Sequence, residues 1–469
     1  MGSLADITPA IALGALDGRY RKAVAPLVDH LSEAALNRAR VHVEIEWLIH
    51  LAHEQVVPGV RQLTETEIAR LRAIVAEFGA DDIAELAEIE RETVHDVKAV
   101  EYYLKRRMPD ILGEDTAQLS ELVHFCCTSE DINNLCYALM VKGAVETVWL
   151  PKAEDLLEQL AAMATELAET PMLSRTHGQA ATPSTLGKEL AVLTHRLRRQ
   201  VRRISATEYL GKLNGATGTY GAHVAAVPEA DWPRLSNTFV TDRLGLTWNP
   251  LTTQIESHDW QAELYADMAR FNRILHNLCT DVWTYISLGY FAQVRGQGTV
   301  GSSTMPHKVN PIRFENAEAN LEVSNALLDV LSATLVQSRM QRDLTDSSMQ
   351  RNIGTAFGHS LLALDNVQRG LAGLDAVPEA MAADLDVNWE VLGEPIQSAM
   401  RALGAQGVAG MENPYERLKD LTRGQRVDGD RLREFVRGLG LPAEVEERML
   451  ALTPQTYTGL AADLTRRHL

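Results

Sequence analysis

Cysteine is scarce: the 469 residues include only Cys126, Cys127, Cys136 and Cys279. The adjacent first pair suits neither an ordinary disulfide nor a Cys-x-x-Cys zinc arrangement, so a disulfide scaffold is excluded and a reducing compartment is expected. Positive charge is also short. Lys and Arg number 45 against 63 Asp and Glu, a formal charge of −18, whereas a duplex-binding protein needs the opposite sign over at least one face. Nucleic acid is therefore not an expected partner. No run of about 18 uninterrupted apolar residues occurs, which excludes an ordinary membrane-spanning helix. The start MGSLADITPA has no basic stretch ahead of an apolar one, and Asp6 stands where a myristoylation signal has Ser or Thr. A cytoplasmic protein without a membrane partner is the expectation.

What the chain does contain is apolar residue enough for two or three cores, at 45% hydrophobic and 23% charged with only 6% aromatic. Apolar residues recur at helical spacing over most of its length, while alternating runs of Val, Ile, Thr and aromatics are short and few. An all-α fold follows. The stretch from about His30 to His53 reads as one helix, and Thr64 to Glu67 forms a capping box ahead of Ile68, Leu71 and Val75. In mid-chain the stripes take on a seven-residue rhythm. Leu156, Leu160, Met163 and Leu167 form one, and Leu264, Met268, Phe271, Leu275, Leu278 and Val282 another. Leu186 to Ile204 and Leu321 to Leu335 carry two more. Such seams want parallel or antiparallel partners, so an elongated bundle is expected, with a second stripe buried in an identical subunit. Beyond about residue 365 the helices shorten around glycine joints at Gly404 to Gly410 and Gly438 to Gly440. The expected division is an N-terminal helical domain over 1–115, a central long-helix bundle over 116–365 and a C-terminal helical domain over 366–469.

Four stretches use polar, glycine and proline residues where a bundle has no need of them. They run from Arg91 to Lys98, from His124 to Asn134, from Ser174 to Gln179, and from Gly296 to Pro311. The run Thr128-Ser129-Glu130-Asp131 also has an ordinary reading, as an N-cap followed by first-turn acids that suit the helix dipole. Gly296-x-Gly298-x-x-Gly301 matches the dinucleotide fingerprint in letters and fails in context. A helical stripe precedes it where a strand is required, and Ser-Ser-Thr-Met-Pro follows where a helix should open. What the stretch suits is a loop that closes over an anion: glycines ease movement, Pro306 and Pro311 stiffen the far end, and Lys308 brings a cation. His42, His50 and His53 lie on helical stretches with no third ligand, so a packing or solvated role is expected and no metal.

These residues resemble a known family. GSSTMPHKVNP at 301–311 is similar to the signature loop of the fumarase/aspartase superfamily. RTHGQAATPST at 175–185, TSEDINN at 128–134 and HDVKAVE at 95–101 resemble the bacterial branch of its adenylosuccinate lyase family, and the likeness runs from Asp17-Gly-Arg19-Tyr20 past Arg342 to Ser347. His307 before Lys308 and the pair His95-Asp96 favour that family over its sister lyases. The resemblance implies a homotetramer of three-domain subunits, with each active site built from three of them. It also implies a cofactor-free β-elimination that releases fumarate from an anionic nucleotide. Residue by residue, Ser302 resembles the general base, His177 the general acid, and Lys308 and Asn310 the groups that hold the fumaryl carboxylates, beside Ser303. Thr128, Ser129 and Gln254 resemble substrate contacts, as do His95 and Asp96. Arg19, Tyr20, Arg342, Ser347 and Arg351 resemble the phosphate and ribose side. One position departs: Val94 stands where close relatives put Asn, so a side-chain hydrogen bond is lost there.

The chemistry asks for these residue types. Removing a proton beside a carboxylate builds negative charge on that carboxylate, which needs fixed donors such as Lys308, Asn310 and loop N–H groups. The leaving amine must gain a proton, and the His177 imidazole is naturally poised near neutrality. A serine hydroxyl acts as a base only where its alkoxide is strongly stabilised, so His95 stands as a second acid or base. Five cations, Arg19, Lys98, Lys308, Arg342 and Arg351, gathered in a protein of charge −18 would focus an anionic substrate. A sister lyase acting on argininosuccinate, aspartate or malate, or a silent helical scaffold, remains open at this level.

Overall fold

The leucine seams set the architecture. The computed structural model describes residues 12–294, 305, 308–422 and 427–469 of the chain, and most of them are helical. The N-terminal part holds α1 (Glu33–His53), α2 (Glu65–Ala76), α3 (Ala80–Thr93) and α4 (Asp96–Leu112). Thr64 caps α2 as expected: the Glu67 side chain accepts from the Thr64 N–H at 2.7 Å and the Glu67 N–H donates back to the Thr64 hydroxyl at 3.3 Å. After α5 (Ser129–Ala144) come the long elements α6 (Leu150–Glu166), α7 (Leu186–Ser205), α8 (Asp259–Ser287), α9 (Ile312–Leu335) and α10 (Ile353–Leu371), followed by shorter helices beginning with α11 (Pro378–Asp386). Every seam residue of α8 from Leu264 to Val282 is buried, as are Leu186, Leu190, Leu193, Leu197, Val201 and Ile204 of α7. The bundle expectation is borne out.

Strands are few and short. β1 (Pro171–Thr176) and β2 (Gln179–Thr185) form an antiparallel hairpin with Thr176 opposite Gln179. β3 (Leu210–Gly211) lies parallel to β4 (Thr247–Trp248), and β5 (Phe291–Gln293) antiparallel to β6 (Leu374–Ala376).

Contacts group the chain into two units. The first comprises Met1–Ala153, Gln200–Arg273 and Ala319–Asp365, the second Glu154–Arg199, Ile274–Glu318 and Asn366–Leu469. The core of the first is built on large buried side chains, with Trp149 edge-on to Phe271 at 4.9 Å. A polar seam runs through that core: Asn272 donates to Ser324 at 3.1 Å, Ser324 to the Ala356 carbonyl at 2.8 Å, and Ser360 to Asn272 at 2.9 Å. Fully paired buried polar groups of this kind fix one helix register where apolar contacts alone would tolerate several. In the second unit, Leu173 of β1 packs into the apolar core of the C-terminal helices with Leu385, Leu392, Ile396 and Met400. Gly187 lets α7 approach α6 closely there, because a Cβ at that position would meet the Ala164 carbonyl oxygen at 2.3 Å.

Candidate active site

The first unit carries most of the candidates, joined by a chain of buried hydrogen bonds that starts at the head of α5. Thr128 is the extended N-cap, and its N–H donates to the Asp131 carboxylate at 2.8 Å. The ordinary capping reading therefore holds for Asp131. It fails for solvation, since Glu130 and Asp131 are both buried. Glu130 accepts from Arg342 at 2.9 Å and from the Asn133 amide at 2.8 Å. Asn133 in turn accepts from Arg40 Nε at 3.0 Å, and the Arg40 guanidinium reaches Asp96 at 2.6 Å. Arg351 lies 3.6 Å from the same carboxylate and donates to the Ser347 carbonyl at 3.1 Å, while Arg342 donates to the Ser347 hydroxyl at 3.1 Å. One network of charged and polar groups, running through Arg40, Asn133 and Glu130, thus holds Asp96, Arg342, Ser347 and Arg351, contributed by four sequence-distant segments.

Electrostatics follow from this packing. Burial pushes the Glu130 carboxyl up, against the pull of Arg342. Burial acts on Asp96 in the same direction, but Arg40, the Val97 N–H and Arg351 outweigh it and hold the carboxyl below its ordinary value. Arg342 Nε is buried and finds no acceptor among the described residues. An unpaired guanidinium donor beside a second arginine is suited to an anion such as phosphate.

His95 is the N-cap of α4, and its Nδ1 accepts from the Lys98 N–H at 3.2 Å. Val94 just before it closes α3 in the left-handed region, at φ 53°. Lys98 pairs with Glu101 at 2.7 Å. Arg19 lies over the Tyr20 ring, 5.9 Å from its centroid, and Tyr20 packs against Leu16, Val24 and Leu362. Gln254 is half-buried in the segment after Thr252 and Thr253.

Two pairings in this region were missed in the sequence. His124 has φ 57°; its N–H donates to Glu44 at 2.9 Å, and its Nδ1 lies 2.6 Å from the other oxygen of that buried carboxylate. Burial alone would lower the imidazole, but the bond and charge of Glu44 raise it. The available signal was Glu44 itself, an acid among Val41, Val43, Ile45 and Leu48 that has to find a partner. The second is the buried pair of Asp131 and Lys212, at 2.8 Å.

The second unit carries His177, Lys308 and Asn310. The hairpin that presents His177 was not foreseen as strand. Its two-residue turn is His177-Gly178, with φ 54° and 74°, the geometry of a type I′ turn that matches strand twist. His177 occupies the place where such turns usually have Asn, and it is exposed at the tip. The hairpin is anchored by Arg175, which donates to the Tyr290 hydroxyl at 3.0 Å and to Asp384 on α11, while Tyr290 also donates to Asp384. Gln293 of β5 donates to the Val309 carbonyl at 2.8 Å, so the segment that carries Lys308 is tied back to the strand from which it departs. Lys308 and Asn310 are exposed just ahead of α9. Ser302, Ser303 and His307 lie outside the described residues.

Comparison with known proteins places the chain in a family. The lyase family matches residues 18–323, and the adenylosuccinate lyase C-terminal family matches residues 338–458. Adenylosuccinate lyase of Escherichia coli (strain K12) is 48% identical over 456 residues, covering 97% of this chain and 98% of its own. That of Buchnera aphidicola subsp. Acyrthosiphon pisum (strain APS) is 41% identical, over 98% of this chain and 99% of its own. The fold is that of the fumarate lyase from Mesorhizobium sp. BNC1, with a TM-score of 0.73 over 95% of this chain and 97% of that one at 18% identity. It is also that of the 3-carboxy-cis,cis-muconate lactonizing enzyme from Pseudomonas putida, at 0.67 over 94% and 97% with 19% identity. With the C-terminal match on one side and identity of 41–48% over nearly the whole chain on the other, the sister lyases fall away and the chain belongs to the adenylosuccinate lyase family.

Proposed function

We propose that this protein releases fumarate from adenylosuccinate to give AMP, and from the succinylated aminoimidazole carboxamide ribotide to give the free carboxamide, by general acid and base catalysis. Near-complete coverage at 48% identity carries the reading. The geometry supports it with a pair of arginines, Arg342 and Arg351, set by buried or half-buried carboxylates and suited to a phosphate. In this reading Ser302 removes the proton beside the carboxylate, and His177 protonates the departing amine. Lys308, Asn310 and Ser303 bind the succinyl carboxylates, where charge builds in the transition state. Thr128, Ser129, Gln254, His95 and Asp96 hold the base and linking amine, and Arg19, Tyr20, Arg342, Ser347 and Arg351 the nucleotide phosphate and ribose. Incubating the purified protein with adenylosuccinate while following fumarate and AMP tests it. Release of both products is expected, and a protein inert toward both succinylated substrates refutes it.

We also propose that the chain works as a cytoplasmic homotetramer. Ala319, Val323, Ala326, Val330 and Ala333 of α9 repeat at steps of four and three and are exposed, Val323 and Val330 at 45% each. That is a second seam on a helix whose first seam is already buried, and small residues there allow close approach of another helix. Light scattering of the purified protein should give four times the chain mass.

A further inference from the structure

Beneath Thr128 and Ser129 lies an ion pair with no access to water. The Asp131 and Lys212 side chains are both 0% exposed and meet at 2.8 Å. Besides Lys212, the Asp131 carboxylate accepts from the Thr128 N–H at 2.8 Å, the Asn214 N–H at 2.9 Å and the Gly215 N–H at 3.1 Å. The Lys212 ammonium also donates to the Gly215 carbonyl at 3.1 Å. One carboxylate thus ties the head of α5 to the loop 212–218.

The same loop reaches a second candidate segment. Asn214, itself buried, donates from its side-chain amide to the Thr252 hydroxyl at 2.8 Å, and that hydroxyl donates on to the Thr253 carbonyl at 3.2 Å, so the contact orients the backbone ahead of Gln254. Gly218, at φ 73°, lies so close that a Cβ would meet the Thr252 carbonyl oxygen at 2.1 Å. Thr253 next to it donates to the Gln341 carbonyl at 2.9 Å, one residue before Arg342.

A buried ion pair is a poor device for stability, because well-packed apolar residues of similar volume often do as well or better. Its use has to be sought in what its bonds hold apart or together. We propose that Asp131, clamped by Lys212, is a positioning residue that sets the spacing between the segment of Thr128 and Ser129 and that of Gln254, and that the Asn214–Thr252 bond transmits it. The proposal rests on the reading that these two segments grip the nucleotide substrate. Groups that grip substrate and transition state alike affect KM and leave kcat alone, so loosening their spacing raises KM.

The test compares Thr252→Val with Thr252→Ser in the full chain, by steady-state kinetics on adenylosuccinate. Val keeps the shape and loses the hydroxyl, while Ser keeps the hydroxyl and loses a methyl. Positioning through the Thr252 hydroxyl predicts KM up about 10-fold in Thr252→Val, which loses the bonds to Asn214 and to the Thr253 carbonyl, with kcat within about 2-fold and KM near wild type in Thr252→Ser. A KM unchanged in Thr252→Val, or raised as much or more in Thr252→Ser, overturns the proposal, since packing then accounts for the contact. A wild-type protein without turnover would instead sink the functional reading beneath it. Asp131→Asn, where it folds, should raise KM at least as far as Thr252→Val.

Discussion

Arg40 reaches Asp96 at 2.6 Å from a side chain that is 2% exposed, while Asp96 itself keeps 29% of its side chain open. The asymmetry decides what each partner contributes. Arg40 is almost wholly shielded from water, so its guanidinium relies on Asp96 for countercharge and on Asn133 and Asn37 for acceptors, whereas Asp96 also faces Arg351 and solvent. Asp96→Asn should cost about 2 kcal/mol of stability, below the 3–5 kcal/mol of a fully buried pair because water still screens the position. Urea unfolding measures this, and a variant as stable as wild type would show that Arg40 is satisfied without Asp96.

His177 combines a turn conformation with a chemical role, and one substitution separates them. Asn is favoured at the first position of a type I′ turn, where φ is positive, so His177→Asn should keep the hairpin and leave Tm within a degree or two. It removes the imidazole, so kcat should fall by about 10²- to 10⁴-fold, the range of a lost general acid. Near-normal turnover in this variant would take His177 out of the chemistry.

The helices were legible because their signal is local: a seam of leucines at steps of three and four needs no knowledge of its partner, and Thr64 with Glu67 announces a start by itself. The hairpin 171–185 was not, since Pro171, Pro183 and Ser184 dilute the alternation that marks strands. Its one clear mark was His177-Gly178, a near relative of the Asn-Gly turn. The stretches that hold the candidate residues stood out by composition, while the role of each residue was legible only by family likeness. Glu130 and Asp131 look in sequence like first-turn acids facing water, and nothing local says that Lys212 and Arg342 will bury them. His124 with Glu44 is the same case, a pair 80 residues apart.

Arg342 is the network member with an unused donor. Its guanidinium is held by Glu130 and Ser347, yet Nε remains buried without an acceptor among the described residues. If that donor serves the substrate phosphate, Arg342→Ala should raise KM for adenylosuccinate by about 10- to 100-fold, the worth of a charge-assisted bond, with kcat little changed. A flat KM would place the phosphate elsewhere.

Val94 closes α3 at φ 53° and is 90% exposed. A β-branched side chain in the left-handed region is strained, by roughly 1–2 kcal/mol, and an exposed one has no packing to offset it. Asn adopts this conformation readily, as helix C-caps show. Val94→Asn should therefore gain about 1 kcal/mol, seen as a higher denaturation midpoint with an unchanged slope. A lower midpoint would mean that Val94 packs against something in the working assembly.

Acid should weaken the fold before the carboxylates titrate, through buried histidines. His50 stacks on Trp47 and lies 3.1 Å from the Leu235 carbonyl; burial lowers its pKa from 6.5 to about 4. Unfolded, the imidazole takes its proton near 6.5; folded, it waits until about 4. Between those values the unfolded state binds more protons, so the contribution of His50 is complete above 6.5 and is lost as pH falls below it. Burial moves His42, His223 and His359 the same way, whereas His124, raised by Glu44, contributes below 6.5 and loses that as pH rises. His50→Gln keeps a donor for Leu235 and cannot titrate. Carboxylate effects cancel between the two proteins. From pH 7.5 to pH 5 the variant should lose about 2 kcal/mol less stability than wild type, the product of 1.5 pH units and 1.36 kcal/mol per unit. Equal losses would mean that His50 is already neutral in neither state more than the other, and that the buried stack on Trp47 carries no pH dependence.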